Sequence, residues 1–190
     1  MPVDKLKHIA TKFGDSGYSK NYENQKFKKT DILFETLGTM DELSSFLGLT
    51  YQYSKNEFIK EIQRKLQNIN SLIASKPDSM LYNKLIQIIE ADVELLEKHI
   101  QDFLDKKPLE GRFYLPGSEK TQAGAYVDVS RTLARKAERR LNAFVDITER
   151  TDLEMSKKYI NRLSDYLFVL TFNTWNLMFE KTLNFLRFFL

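Results

Sequence analysis

Apolar residues recur at every third or fourth position along most of the chain, which is the spacing of one face of an α-helix. The first such stretch follows Thr30 and Asp31, which supply an N-cap, and Glu35 is well placed in its first turns. Its apolar positions are Leu33, Leu37, Met40, Leu43, Leu47 and Tyr51. Those of a second helix are Phe58, Ile62, Leu66, Ile69 and Ile73. We predict that this second helix ends near Lys76, because Pro77 disfavours helix at the residue before it.

Three more helices are predicted in the second half of the chain. The third carries Leu85, Ile89, Val93, Leu96, Ile100 and Phe103, and it ends before Pro108. A short extended piece at 112–115 follows, and Ser118 is the expected N-cap of a fourth helix that runs to about Thr148. The fifth begins near Asp152 and includes Ile160, Leu163, Leu167 and Leu170.

The first 30 residues lack this periodicity. They are polar and carry Gly14 and Gly17, so we expect a loop with no core of its own. Five helices joined by short connections are typical of an up-and-down bundle. The sequence therefore predicts one all-α domain, with an N-terminal loop segment over residues 1–30 and a five-helix bundle over residues 31–190.

Composition narrows the chemistry. Hydrophobic residues make up 42% and charged residues 29%, as in an ordinary soluble globular chain. The chain has no cysteine, which excludes disulfides, thiolate metal sites and cysteine nucleophiles. With only two histidines, a histidine-rich metal site or a histidine-based triad is not expected. The net charge of +3 is too small to predict a nucleic-acid partner.

Neither end of the chain predicts membrane insertion. Residues 1–10 lack the apolar run of a secretory signal. The stretch from Leu163 to Leu190 is apolar, but charged residues interrupt it at Asp165, Glu180, Lys181 and Arg187. We interpret its last segment as subunit packing rather than membrane contact.

The segment from Thr11 to Lys20 is the first candidate for chemistry. Gly14 and Gly17, three residues apart, allow backbone N–H groups to turn towards a polyanion, and lysines add positive charge. The segment does not match the Walker pattern, which ends in Gly-Lys-Ser/Thr. An ordinary surface turn remains the alternative.

A stripe on the predicted fourth helix is the second candidate. Steps of three and four residues place the following side chains on one face: Asp128, Arg131, Arg135, Glu138 and Asn142. Planar guanidinium groups grip phosphate oxygens, and neighbouring acids hold the arginines in place. The alternative is a solvated face with ion pairs worth only about 0.3–0.5 kcal/mol each.

Two shorter segments complete the set. Asn161 and Asp165 share a face of an apolar helix, where they need partners if buried. Those partners could come from a ligand, a neighbouring helix or another subunit. Phe113 and Tyr114 precede a rigid Pro-Gly turn, which could equally close the end of the bundle.

In this order, the segments resemble motifs of the propanediol-utilisation family of ATP:corrinoid adenosyltransferases. The opening Thr-Lys-Thr-Gly-Asp-x-Gly-x-Ser/Thr resembles residues 11–19, and Lys-Asp-Asp before the first helix resembles residues 29–31. Gly-Thr-x-Asp-Glu-Leu-x-Ser is similar to residues 38–45, and Phe-Ile-Leu-Pro-Gly-Gly to residues 113–118. Arg-x-x-x-Arg-Arg-Ala-Glu-Arg is similar to residues 131–139, and Asn-Arg-Leu-Ser-Asp-Tyr-Leu-Phe is matched in full by residues 161–168.

The resemblance implies a homotrimer of five-helix bundles with active sites between subunits. It implies ATP contacts from the opening segment and its continuation, at Thr11, Lys12, Gly14, Asp15, Gly17, Ser19, Lys20 and Lys29. It adds ATP contacts from the helices at Arg135, Lys136, Glu138, Arg139 and Asn161. Arg131 would pair with Asp41 of a neighbouring subunit, and Phe113 would press on the lower face of the corrin.

The implied reaction transfers the 5′-deoxyadenosyl group of ATP to cob(I)alamin, giving adenosylcobalamin and triphosphate. Reduced cobalt is itself the nucleophile, which suits a chain without cysteine. The protein positions C5′ near cobalt, while lysines, arginines and Mg²⁺ carried by the ATP phosphates stabilise the leaving group. An apolar wedge such as Phe113 would remove the lower axial ligand, so that cob(II)alamin accepts an electron more easily. A cobalamin reductase and an acceptor mutase are the expected protein partners.

The chain departs from the family pattern at four positions: Ser118 replaces the second glycine of the turn, Asp128 a histidine, Lys136 an arginine and Phe172 an arginine. These departures leave open a nucleotide- or cobalamin-binding delivery protein with weak or no turnover. An unrelated helical interaction module is the third hypothesis. We expect a cytoplasmic protein, or a mitochondrial matrix protein in a eukaryote.

Overall fold

Five long helices dominate a computed structural model that describes residues 5–10, 12–118 and 121–174. They are α1 (Ile32–Ser54), α2 (Phe58–Ile73), α3 (Glu90–Lys106), α4 (Gln122–Thr148) and α5 (Glu154–Thr171). The predicted all-α bundle is therefore confirmed. The predictions for Thr11 and for the apolar segment over residues 175–190 lie outside the described residues.

The helices follow one another around the bundle in the order α2, α1, α4, α5, α3. Successive helices in the chain alternate in direction, so the neighbours α3 and α5 run parallel. The ring closes between α2 and α3, where Lys65 Nζ lies 2.6 Å from Asp92 Oδ1 and the rings of Phe58 and His99 are 4.0 Å apart. We call the end at which α1 begins and α2 ends the lower end of the bundle.

The apolar positions that predicted the helices form the core. Fully buried examples come from each helix: Met40, Leu43 and Leu47 from α1; Ile62, Leu66 and Ile69 from α2; Leu96 from α3; Leu141 from α4; Leu163 and Leu167 from α5. The predicted cap of α1 is also present, since the Asp31 carboxylate accepts a hydrogen bond from Leu33 N at 2.9 Å.

Two predicted helix starts were wrong. The third helix begins only at Glu90, because the Asp92 carboxylate accepts a hydrogen bond from Ile89 N at 3.0 Å and caps the helix there. The fourth begins after Thr121, whose Oγ1 accepts from Gly124 N at 2.9 Å. Ser118 instead donates to Leu115 O at 2.6 Å and closes the preceding turn.

The polar N-terminal segment has more structure than the expected loop. A one-turn helix (Leu6–Ile9) and a 3₁₀ turn (Phe13–Ser16) precede an antiparallel hairpin of β1 (Tyr18–Lys20) and β2 (Lys26–Lys28). Asn21 Oδ1 closes the hairpin turn by accepting from Glu23 N and Gln25 N at 3.0 and 2.9 Å. Tyr22 N donates to Ala74 O at 3.1 Å, which fixes the hairpin to the lower end of α2. We call residues 12–29 the arm.

Candidate active site

The arm brings a lysine against its glycine turn. A Cβ atom at Gly14 would lie 2.7 Å from Lys29 Nζ, so the lack of a side chain at Gly14 lets this ammonium group approach the turn. Lys29 N also donates to Gly17 O at 2.9 Å, which joins the end of the arm to its turn. Gly17 has a φ of 79°, a left-handed conformation that favours glycine. Gly17 therefore meets a backbone requirement of this turn, while Gly14 permits the close approach of Lys29.

The predicted ATP contacts of the arm lie close together in the fold. Lys12 and Asp15 are exposed on the 3₁₀ turn, and Ser19 is half-buried in β1 opposite Phe27. The ammonium group of Lys20 lies 5.1 Å from the centre of the Phe13 ring, a cation–π contact at an exposed site. The arm thus presents Lys12, Lys20 and Lys29 on one short loop-and-hairpin unit.

The stripe on α4 faces α5. Arg131 Nε donates to Asp128 Oδ1 at 2.7 Å, as the spacing predicted, while the Arg135 side chain is exposed. Among the described residues, Arg135 has no ion pair and no hydrogen bond from its guanidinium group. Both arginines line a cavity of about 170 Å³ with Ser164, Asp165 and Phe168 of α5. A free guanidinium at a cavity is available to an anionic ligand.

A second, larger cavity of about 390 Å³ lies between α3, α4 and α5. Glu138 and Asn142 line it from α4 and Asn161 lines it from α5. Asn161 Nδ2 donates to Glu138 Oε1 at 2.7 Å, so two predicted ATP residues from different helices meet here. The same stripe of α4 therefore opens on two neighbouring cavities.

Arg162 lies between these cavities, and sequence reasoning gave it no role. Its guanidinium donates to Glu97 Oε1 at 2.8 Å and to Asp165 Oδ2 at 2.6 Å. Partial burial alone would lower its pKa, but the hydrogen bonds and charges of Asp165 and Glu97 raise it. Arg162 thereby links the wall of the larger cavity with Asp165 in the smaller one. Its position inside the Asn-Arg-Leu-Ser-Asp motif was the feature of the sequence that could have identified it.

The remaining predicted residues of the helices are accessible. Lys136 Nζ lies 2.5 Å from Glu42 Oε2 of α1, and both side chains are 43% exposed. Arg139 is exposed and donates to Arg135 O at 3.1 Å. Asp41 is exposed on α1 and accepts from Asn70 Nδ2 at 3.1 Å. The row Arg131, Arg135, Lys136 and Arg139, which we call the cation row, is thus accessible along α4.

Phe113 lies in the connection between α3 and α4, and its side chain is fully exposed. An apolar ring in water is unfavourable unless a ligand or a partner covers it. Its neighbour Tyr114 is half-buried against α5. The loop therefore presents one ring outwards and anchors the next.

The two parts of the predicted site have different neighbours within one chain. The arm packs at the lower end of the bundle, against the ends of α2 and α4, whereas Arg131 and Arg135 of the cation row line a cavity with α5. In the described ranges, no cluster of three or more histidine, cysteine or acidic side chains is arranged to hold a metal ion. Within the same ranges, no helix has both the length and the apolar character needed to cross a membrane.

Comparison with known proteins gives a consistent match. The family model for cobalamin adenosyltransferase matches residues 9–173. The corrinoid adenosyltransferase MMAB of Mus musculus is 34% identical over 172 residues, which cover 86% of this chain and 71% of the mouse protein. A corrinoid adenosyltransferase of Citrobacter freundii is 34% identical over 165 residues, covering 84% of this chain and 90% of that protein.

Solved structures agree. A variant of the PduO-type ATP:corrinoid adenosyltransferase of Lactobacillus reuteri, complexed with cobalamin and ATP, superposes with a TM-score of 0.78 at 28% identity. The match covers 90% of this chain and 94% of that one. Another variant, complexed with ATP, gives a TM-score of 0.76 at 27% identity, covering 90% of this chain and 95% of that one. The chain whose bundle carries this arm and this cation row therefore belongs to the cobalamin adenosyltransferase family.

Proposed function

We propose that this chain transfers the 5′-deoxyadenosyl group of ATP to the cobalt of cob(I)alamin, with release of triphosphate. The observation that carries the proposal is the cation row, in which Arg135, without an ion pair among the described residues, opens on a cavity beside Asp165 and Phe168. A triphosphate needs several accessible cations in one place. The family match and the similar structure complexed with cobalamin and ATP indicate which nucleotide and which corrinoid would bind.

The arm and the cation row divide the binding of ATP between them. Lys12, Lys20 and Lys29 bring positive charge on the arm, next to the backbone N–H groups of the glycine turn. Arg135, Lys136 and Arg139 contribute charge from α4. Asn161 and Glu138 present an amide and a carboxylate in the larger cavity, which are the groups that recognise the hydroxyls and amines of an adenosine.

The chemical step needs no protein nucleophile. Cobalt(I) donates an electron pair to C5′ of ATP, the Co–C bond forms, and the C5′–O bond breaks. That bonding pair leaves with the triphosphate, so the cobalt ends as cobalt(III). The protein holds C5′ in line with cobalt and stabilises the negative charge that develops on the leaving group. Phe113 covers the lower face of the corrin and keeps the axial ligand and water away.

Mg²⁺ would enter with its nucleotide. Because no metal-binding cluster of side chains occurs in the described part of the chain, the phosphate oxygens of ATP are the expected ligands. A cobalamin reductase would supply the electron that makes cob(I)alamin. An acceptor mutase would take the product. The compartment would be the cytoplasm, or the mitochondrial matrix in a eukaryote.

A homotrimer would complete the site. The arm and the cation row belong to different regions of one chain, so a neighbouring subunit can bring its own arm to this row. Arg131 and Asp41 are both within reach of solvent, as an ion pair between subunits requires. Arg131 would then bind Asp41 of the neighbouring subunit either in place of Asp128 or together with it.

The activity is tested by mixing the protein with ATP, Mg²⁺ and chemically reduced cobalamin. Formation of the Co–C bond changes the visible absorbance, and light then produces a second change, because it breaks that bond homolytically and leaves cobalt(II). A folded protein that binds ATP by calorimetry but gives no product would favour a delivery function instead. A protein that binds no ATP would contradict both.

Mixed assemblies test whether the site is shared. A Lys12→Ala/Lys29→Ala variant damages only the arm, and an Arg135→Ala variant damages only the row. If sites form between subunits, unfolding and refolding the two inactive variants together restores part of the activity, since some sites receive an intact arm and an intact row. A mixture as inactive as its components, at a confirmed trimeric mass, would place each site within one chain.

A further inference from the structure

The loop that carries Phe113 connects α3 to α4 and is irregular over residues 107–118. A fully exposed ring on an unanchored loop would sample many positions, and fixing it against a ligand would cost conformational entropy. The structure nevertheless holds this loop at several points. The anchoring residues lie beside Phe113 and at the end of α5.

Three rings form the main anchor. The ring centres of Tyr114 and Phe172 are 4.5 Å apart at 46°, and those of Phe168 and Phe172 are 5.5 Å apart at 78°. Tyr114 and Phe168 are 6.1 Å apart. These separations fall within the favourable range for aromatic pairs. We call Tyr114, Phe168 and Phe172 the aromatic clasp.

Hydrogen bonds shape the loop around the same tyrosine. Tyr114 Oη accepts from Glu110 N at 3.0 Å and donates to Glu110 O at 3.2 Å. The tyrosine side chain thereby closes the turn over residues 110–114. Lys107 Nζ donates to Phe172 O at 3.0 Å, which ties the start of the loop to the end of α5. The loop is therefore fixed on both sides of its base while Phe113 projects.

The clasp also reaches the cation row. Phe168 lines the cavity of about 170 Å³ that Arg131 and Arg135 share. One connected set of side chains thus joins the base of Phe113 to the wall of the proposed triphosphate site. Tyr114 stands where the family motif has isoleucine, and Phe172 where it has arginine, so both rings depart from that motif.

We propose that the aromatic clasp positions Phe113, with Tyr114 and Phe172 as positioning residues that hold it at a fixed distance from the cavity of the cation row. This inference rests on the proposed function, because it takes Phe113 to be the group that covers the lower face of the corrin. A held ring displaces the lower ligand of cobalt more often than a mobile one. Tyr114 and Phe172 do not line the cavity of the cation row, so they act on the coordination of cobalt and leave ATP binding unchanged.

The test measures the ratio of four- to five-coordinate cob(II)alamin by electron paramagnetic resonance, on the intact protein with ATP and Mg²⁺. Tyr114→Ile and Phe172→Leu each remove two of the three ring pairs of the clasp. Each should lower this ratio by at least about threefold to tenfold, the effect expected for the loss of a single aromatic pair. The double variant should be no worse than the more affected single one, since either change opens the clasp. Phe172→Tyr, which keeps a ring, should retain the ratio, and calorimetry should give an unchanged Kd for ATP in all of them.

The chain offers a matched control for loss of an aromatic pair. Tyr53 and Tyr126 form a ring pair between α1 and α4 with almost the same geometry, 4.6 Å and 44°. Tyr53→Ile should leave the ratio unchanged. An equal fall in that variant would show a general effect of lost packing and would overturn the inference.

A Phe113→Ala variant separates this inference from the proposed function. If Phe113→Ala abolishes the four-coordinate form and Tyr114→Ile does not lower it, the wedge stands and the clasp is overturned. If Phe113→Ala keeps the four-coordinate form, the role of Phe113 is wrong and the inference falls with it. Only a large loss in Phe113→Ala, together with a smaller one in both clasp variants, supports it.

Discussion

Arg150 and Arg135 lie fifteen residues apart and have opposite surroundings. Arg150 follows α4 at the lower end and is only 8% exposed. Its guanidinium donates to Ser75 O and Leu72 O, both at 2.9 Å, and to both carboxylate oxygens of Asp152 at 2.8 Å. Arg135, in the middle of α4, is exposed and has no such partner among the described residues.

The difference separates a structural arginine from one that is available to a ligand. Arg150 joins the end of α2 to the turn between α4 and α5, and Tyr82 Oη donates to the same Asp152 at 2.5 Å. Burial would raise the pKa of Asp152, but the hydrogen bonds from Arg150 and Tyr82 lower it. We call Arg150, Asp152 and Tyr82 the arginine lock. Where the protein satisfies every charge itself, no binding capacity is left for an anion.

The largest expected effect comes from breaking the lock. Arg150→Met should lower the free energy of unfolding by about 3–5 kcal/mol, because it removes the cation paired with Asp152 and the donor to the Leu72 and Ser75 carbonyls. Urea denaturation measures the loss. Adding Asp152→Asn should recover part of it by removing the unpaired charge. A loss below about 1 kcal/mol, the range of a surface ion pair, would mean that the lock is ordinary surface structure.

A substitution in the cation row should lower activity and leave stability almost unchanged. Arg135→Ala should lower kcat/KM for adenosylation by about a hundredfold to a thousandfold, as expected when a donor to a developing charge is removed. Its free energy of unfolding should change by less than about 0.5 kcal/mol, because the side chain is exposed. Arg140→Ala is the matched control, since Arg140 is exposed on the same helix and lies 3.9 Å from Glu35. Equal activities of the two variants would contradict the role of Arg135.

Sequence periodicity predicted the helices because each buries a regular apolar face. The hairpin in the arm was missed, since its strands have three residues each and its turn depends on the side chain of Asn21. The start of α4 was misplaced because Ser118 and Thr121 are both favourable N-caps by residue type. Only the fold decides which of them meets a free N–H group.

The site was predictable only as far as it lies on one helix. Spacing along α4 correctly placed Arg131 beside Asp128. Partners from other helices, such as Glu42 for Lys136 and Asn161 for Glu138, depend on how the helices pack and leave no local pattern. The arginine lock was not predicted for the same reason, because the carbonyl acceptors of Arg150, at Leu72 and Ser75, lie far from it in the sequence.

Tyr82 makes the stabilisation by the arginine lock depend on pH. Burial, followed by the hydrogen bond to Asp152, raises its pKa from 10.0 to about 12. Below pH 10 the phenol is neutral in both the folded and the unfolded state, and its contribution is complete. As pH rises from 10 towards 12, the unfolded state loses its proton first, so the free energy of unfolding falls. After allowance for water around Asp152, whose side chain is 25% exposed, we expect a loss of about 1 kcal/mol.

Denaturant unfolding between pH 9 and about 11.5 measures this loss, with Tyr82→Phe as the reference. The phenylalanine variant keeps the ring beside Arg150, which lies 5.6 Å from its centre, and removes only the ionising group. The difference in unfolding free energy between the two proteins should narrow as pH rises. A constant difference would show that Tyr82 ionises as it does in the unfolded chain.

The smallest effect is expected from the ion pair of Lys136 and Glu42. Its charged atoms are as close as those of Arg150 and Asp152 in the lock, but its side chains are more exposed. Glu42→Gln should change the free energy of unfolding by less than about 0.5 kcal/mol, because both side chains are 43% exposed and water screens their attraction. The same carboxylate-to-amide change in the lock, Asp152→Asn, should cost several times more. Since Glu42→Gln also releases Lys136 towards the nucleotide, it should strengthen ATP binding slightly, as measured by calorimetry. Equal stability losses from the two amide variants would show that burial does not distinguish the lock from the row.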